Sequence, residues 1–187
     1  MKKLIVMLGV VALAAVTQAA SFSWKTSAVG KVYQPGTETL LASATAYIFD
    51  SAAVSQSSLV SAFAAGTLDL TKSALSNSAI TDGKISGAAF TDSTAVGGTL
   101  NAYFATVVSV EGNDYLFISD AASAVGVEGK TSAISFNAKA ASQAAALDAG
   151  KGYAGAGWYG AAAVPEPTSG LLMLVGLAGL ALRRRRA

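Results

Sequence analysis

Hydrophobic positions along this chain fall into two regimes. Leu4 to Val16 and Gly170 to Leu182 are apolar runs of 13 residues each, without a charge in either. Between them the apolar residues are spaced out and mostly alternate with Ser, Thr and Ala. Phe22 and Trp24 share one face of an extended segment, with Ser21, Ser23 and Lys25 on the other, so 21–33 predicts a loosely alternating strand. Gln34-Pro35-Gly36 is a turn signal, and Ala44 to Phe49 predicts a strand over about 43–49. The period then changes. Leu59, Val60 and Phe63 form one stripe of a short helix over 55–65, capped by Ser55 or Ser57 and stopped by Gly66.

The stretch 68–80 has no clear period. Asp82-Gly83 predicts a turn into a strand at 84–90, and Gly97-Gly98 breaks the chain again. Leu100–Val110 and Tyr115–Ser119 are aromatic and β-branched, and flank Glu111-Gly112-Asn113-Asp114. That pattern predicts a hairpin. Tyr103, Ala105, Val107 and Ser109 face one way, Phe104, Thr106, Val108 and Val110 the other. Neither face is strongly polar, so the hairpin should be central and covered on both sides. A last strand is expected at 131–137, and a weak Ala-rich helix over 138–149 ends at Gly150. Gly150 to Val164 reads as a Gly/Ala spacer. Its Trp158 and Tyr159 leave two other readings open, an edge strand docked on the domain or anchors at the lipid headgroups. The fold class expected is mainly β: a small β-sandwich-like domain at 20–149 with one or two short helices.

The two apolar runs have different flanks. Lys2 and Lys3 precede the first, and Thr17-Gln18-Ala19 supplies small residues at the −3 and −1 positions. Residues 1–19 therefore read as a signal peptide, cut after Ala19 by signal peptidase following passage through the Sec translocon. The second run follows Pro165-Glu166-Pro167 and ends in Arg183, Arg184, Arg185 and Arg186. Two prolines one residue apart keep their neighbours out of the α region. A helix over 169–182 could then start at Thr168 or Ser169. Its 13 uncharged residues would span about 20 Å, short of a hydrocarbon core of about 30 Å, and local thinning and snorkelling arginines can bridge the difference. Four arginines resist crossing and hold the tail's end on the cytoplasmic side.

Val164-Pro165-Glu166-Pro167-Thr168-Ser169-Gly170-Leu171-Leu172, the span to Leu182 and Arg183 to Arg186 together resemble the PEP-CTERM sorting tail of exported proteins of Gram-negative bacteria. The resemblance implies recognition by an exosortase, a membrane-embedded protease-transpeptidase. It also implies a transient inner-membrane anchor, removal of the tail (165–187) near the Pro-Glu-Pro motif, and delivery to the cell surface or extracellular matrix. Through that family it implies a link to exopolysaccharide and biofilm.

Composition narrows the chemistry. From Ala20 to Val164 there are seven lysines, no arginine and ten acids, a net −3, although the whole chain is formally +2. The exported part has no basic patch for nucleic acid. Cys and His are both absent, which excludes thiol nucleophiles, Cys/His zinc sites and Ser-His-Asp catalysis. Carboxylates remain: Asp82, Asp92, Glu111, Asp114 and Asp120, each in a turn-like setting where acids are ordinary. A pair of them could in principle hydrolyse a glycoside, but no catalytic residue is assigned and no enzyme is expected. Glu111-Gly112-Asn113-Asp114 offers oxygens of the kind Ca²⁺ takes, without the Asp-x-Asp-x-Asp-Gly spacing, so it reads as a plain turn, with no metal or cofactor expected. Tyr33, Tyr47, Tyr103, Tyr115, Trp24 and Trp158 could stack on sugars, and core packing is the expectation for all but Trp158. The function expected is a non-enzymatic surface or matrix structural protein. The alternative is a surface-displayed polysaccharide-binding module.

Overall fold

A computed structural model describes residues 19–137 and 155–160. The expected signal peptide, the Ala-rich helix at 138–149, the membrane helix at 169–182, the motif Pro165, Glu166, Pro167 and the stop Arg183 to Arg186 lie outside these residues, apart from Ala19 at the expected cut. Mainly-β character holds. Among the described residues nine strands form: β1 (Ala19–Thr26), β2 (Ser43–Asp50), β3 (Ser76–Thr81), β4 (Lys84–Ala95), β5 (Thr99–Val110), β6 (Asn113–Ile118), β7 (Ala122–Val125), β8 (Thr131–Phe136) and β9 (Gly157–Gly160). A helix, α1 (Gln56–Ala64), lies between β2 and β3.

The strands form one hydrogen-bonded sheet in the order β8-β1-β4-β3-β2-β5-β6-β9, with β7 also paired to β5. A sandwich would divide them between two sheets. Here a single sheet curls, because β4 changes partner along its length. Its first residues pair with β3 (Ile80↔Ile85) and the remainder with β1 (Ser86 to Ala95). Two register shifts in the β1–β4 ladder, at Ala19/Ala20 and Phe22/Trp24, supply the bend. The curl brings β8 beside β7, where the Ser132 hydroxyl donates to the Val125 carbonyl at 2.6 Å.

Both hairpin turns are tight because two successive residues accept positive φ. Asp82 and Gly83 (φ 49° and 70°) join Thr81 to Lys84, and Glu111 and Gly112 (φ 51° and 79°) join Val110 to Asn113. Positive φ at both central residues is the type I′ signature that matches strand twist. The second turn therefore has two residues where a four-residue loop is expected, and Asn113 and Asp114 belong to β6.

The curl encloses an aromatic core. Trp24, Phe136, Phe104, Phe117 and Trp158 form a continuous file, each ring centroid 5.2 to 6.3 Å from the next. It runs from β1 and β8 across to β9, and so joins both ends of the sheet through side chains alone. A second cluster covers the outer face of β2, β5, β6 and β9. There Leu59 and Val60 of α1 meet Phe49, Tyr103, Leu116 and Tyr159. The predicted helix thus packs on a sheet face. Ser55 is its cap, accepting from the Ser58 amide at 3.2 Å, and Gly66 follows its end at φ 67°. The Tyr103 hydroxyl donates to the Val54 carbonyl at 3.0 Å and the Gln56 amide to the Ser119 carbonyl at 2.8 Å, tying α1 to the sheet. The central hairpin is covered on both faces at its base, where Tyr103 and Ala105 point to α1 and Phe104 to the curl's interior, all fully buried, while from Val107 to Tyr115 it is half-buried or exposed.

Candidate functional site

The strand nearest the sorting motif is β9, and its four residues explain themselves. Gly155 and Gly157 take φ of 128° and 148°, conformations that favour glycine, and turn the chain onto the edge of β6. Trp158 and Tyr159 then alternate across the sheet. Trp158 enters the inner core against Phe117 and Tyr159 enters the outer one, and both are fully buried. The Tyr159 hydroxyl donates to the Gly155 carbonyl. The antiparallel ladder runs from Ile118↔Gly157 to Tyr115↔Gly160, so β9 heads toward the Glu111-Gly112 turn and Gly160 lies opposite Tyr115, with Asn113 and Asp114 between that residue and the turn. This corrects the spacer reading of 150–164 for residues 157–160. Of the readings open for Trp158 and Tyr159, the docked edge strand is the one adopted. The physical reason is area: two large rings placed beside an apolar strand edge bury more than enough surface to outweigh the ordering of four residues.

At the other end of the sequence, Ala19 is the exposed first residue of β1, paired with Ala95, while Ala20 behind it is buried. The expected signal cleavage point therefore coincides with the start of a strand.

The candidate chemical groups do not converge. Asp82, Glu111, Asp114 and Asp120 are exposed on turns and strand ends. Asp92, in β4, is half-buried and accepts from the Thr94 amide and hydroxyl at 2.6 and 2.5 Å. Asp114 accepts from the Ser109 hydroxyl across the β5–β6 ladder. Each of these last two carboxylates is engaged by a neighbouring hydroxyl. Among the described residues no group of three or more acids is placed to hold a metal ion. Among the described residues the carboxyl with a displaced titration is Asp69, between α1 and β3. Hydrogen bonds from the Thr71 side chain (2.6 Å) and backbone (3.0 Å) hold it below the usual carboxylate range.

The aromatics divide by burial. Trp24, Tyr103 and Trp158 are fully buried, and Tyr33, Tyr47 and Tyr115 half-buried. Trp158, the one set apart from core packing by sequence, is fully buried. A cleft of about 490 Å³ opens where β2 and β5 part, between Leu41–Ala44 and Val107–Glu111, with Gln34 on its wall. Another of about 410 Å³ lies beside Ala19, Val96 and Val127 at the opposite end. Neither is lined by an aromatic side chain or a pair of acids.

Among the described residues no helix is long and apolar enough to cross a membrane. No curated protein and no solved structure matches the chain. Residues 163–186, beginning three positions beyond β9, match the PEP-CTERM protein-sorting motif. The chain therefore carries the tail of an exosortase substrate, an exported protein anchored transiently in the membrane before processing.

Proposed function

We propose that this is a non-enzymatic structural protein of the cell surface or extracellular matrix, delivered by exosortase-dependent sorting and serving a surface built on exopolysaccharide. The observation that carries the reading is the sorting motif at 163–186, set directly behind a domain whose two tryptophans are both fully buried in its core. The order of events follows from the segments. The Sec translocon passes the chain, signal peptidase cuts after Ala19, and the β domain folds outside the inner membrane. The span at 169–182 then halts in the bilayer against Arg183 to Arg186, and the sorting enzyme cuts near Pro165 to Pro167. The domain's own contribution is a stable, mildly acidic body with few reactive groups.

Replacing Pro165-Glu166-Pro167 with three alanines tests the reading in native cells. Membrane insertion should persist, because the apolar span and arginines are untouched, while processing stops and precursor accumulates. Normal processing of that variant would remove the main support. Saturable binding of a purified 20–160 fragment to a defined glycan would instead favour the polysaccharide-binding module.

A further inference from the structure

The expected signal cleavage point falls inside the fold. Ala19 and Ala20 are the first two residues of β1, and both stand in the β1–β4 ladder, Ala19 opposite Ala95 and Ala20 opposite Asp92. A cut after Ala19 turns the amide nitrogen of Ala20 into a charged α-ammonium, and the ladder fixes where that charge lands. The Ser27 amide donates to the Phe136 carbonyl of β8, and β1 runs beside β8 from Ser21 to Thr26 without a register shift. Successive residues of a strand turn their main-chain groups to opposite neighbours. Ser21 therefore addresses β8 and Ala20 addresses β4. The directly opposed residues of such a pair are about 5 Å apart at Cα.

Asp92 is a half-buried acid without a counter-charge. Thr91 and Ser93 are exposed while Phe90 and Asp92 are half-buried, so the Asp92 carboxylate lies on the inward side of β4, the side on which Ala20 is buried. Its Oδ2 accepts both bonds from Thr94. Among the described residues its Oδ1 accepts none and no lysine pairs with it. Lys130 precedes Thr131, the partner of Ser21, and so stands on the β8 side of β1, across from Asp92. A carboxylate drawn out of water without a cation is held at a cost that a partner of opposite charge offsets.

We infer that Asp92 is the acceptor for the α-ammonium that signal peptidase creates at Ala20. The inference rests on the cut after Ala19 proposed above and adds a consequence to it. The precursor cannot form this ion pair, because its Ala20 nitrogen is a neutral amide. Removing the leader therefore adds a β1–β4 contact to the exported domain as well as freeing it. The pair is specific to the cut position: a cut one residue later would place the charge on Ser21, whose main chain faces β8.

The test treats cleavage itself as one arm of a double-mutant cycle. Full chain is purified in detergent from its own cells, both cut and in a Thr17→Lys form, whose bulky −3 residue keeps the leader on. Intact mass verifies each start. Asp92→Asn preserves shape and an oxygen for Thr94 and removes the charge. It should lower the thermal midpoint of the cut protein by several degrees and that of the uncut protein far less. In the cut protein it should also speed acylation of the Ala20 α-amine several-fold, with the exposed Lys130 amine as internal reference. Equal losses in the cut and uncut proteins would mean that Asp92 serves Thr94 alone, and would overturn the pair while the cut stands. An unchanged acylation rate would do the same. A mature chain that starts anywhere but Ala20 overturns the cleavage reading and the pair with it.

Discussion

Gly87 is in β4 because no other residue fits there. A Cβ built on it would fall 2.2 Å from Nε1 of Trp24, whose ring is fully buried between Phe104 and Phe136 and has nowhere to retreat. Gly87→Ala should destabilise the domain by about 1–3 kcal/mol, the usual cost of overpacking, read as a lower denaturation midpoint at unchanged m-value. No acceptor meets the Trp24 indole N–H, nor that of Trp158, so shape complementarity outweighs an unmade hydrogen bond at both positions. Asp69 offers a second test. Its carboxyl is held low by Thr71, so its small contribution to stability is present above the unfolded-state pKa and fades as pH falls through the lowered folded value. Thr71→Val removes the hydroxyl donor and should raise the Asp69 titration midpoint, measured by NMR of the side-chain carboxyl. An unchanged midpoint would show that the hydroxyl is not the cause.

At the scale of elements, β9 is the piece whose removal is most informative. Trp158→Ala should cost about 3–5 kcal/mol and release the β6 edge first, seen as faster amide exchange at residues 115–118 before the rest of the sheet. Trp158→Phe keeps a ring against Phe117 and deletes the unpartnered N–H, so its loss should stay under about 1.5 kcal/mol. Equal losses for the two would mean that β9 is not held by its ring. The legibility of elements follows how much each buries. The β5–β6 hairpin and α1 are plain in the sequence because bulky residues recur there with the right period. β3 and β7 are not. In β3 only Ile80 is fully buried, in β7 nothing is, and their Ser, Ala and Asn residues take strand conformation because a neighbour offers a ladder edge. β4 runs five residues beyond its apolar signal for the same reason.

For the molecule as a whole, the prediction concerns the tail. Neutral residues in place of Arg183 to Arg186 remove the charges that resist crossing, so unprocessed or misplaced precursor should accumulate, measured by intact mass and fractionation. Correct size and location in that variant would count against the stop role. Intact mass of the wild-type protein from its own cells should show a start at Ala20 and an end near Pro165 to Pro167.

The sequence alone determined the parts that act as linear signals. The sorting motif at 163–186 is recognised from the order and composition of its residues alone, and the leader at 1–19 is expected from the same kind of pattern. The sequence also determined mainly-β character and the helix, through local periodicity. The tertiary structure decided that one sheet curls where two were expected, that β1 accepts β8 in parallel as well as β4, and that Trp158 and Tyr159 belong to the core. Those outcomes depend on pairings between residues far apart in the chain, such as Ser21 with Thr131 and Phe117 with Trp158. A strand's own composition records that it wants a partner but not which edge will supply one, and that choice was made by where the buried rings could meet.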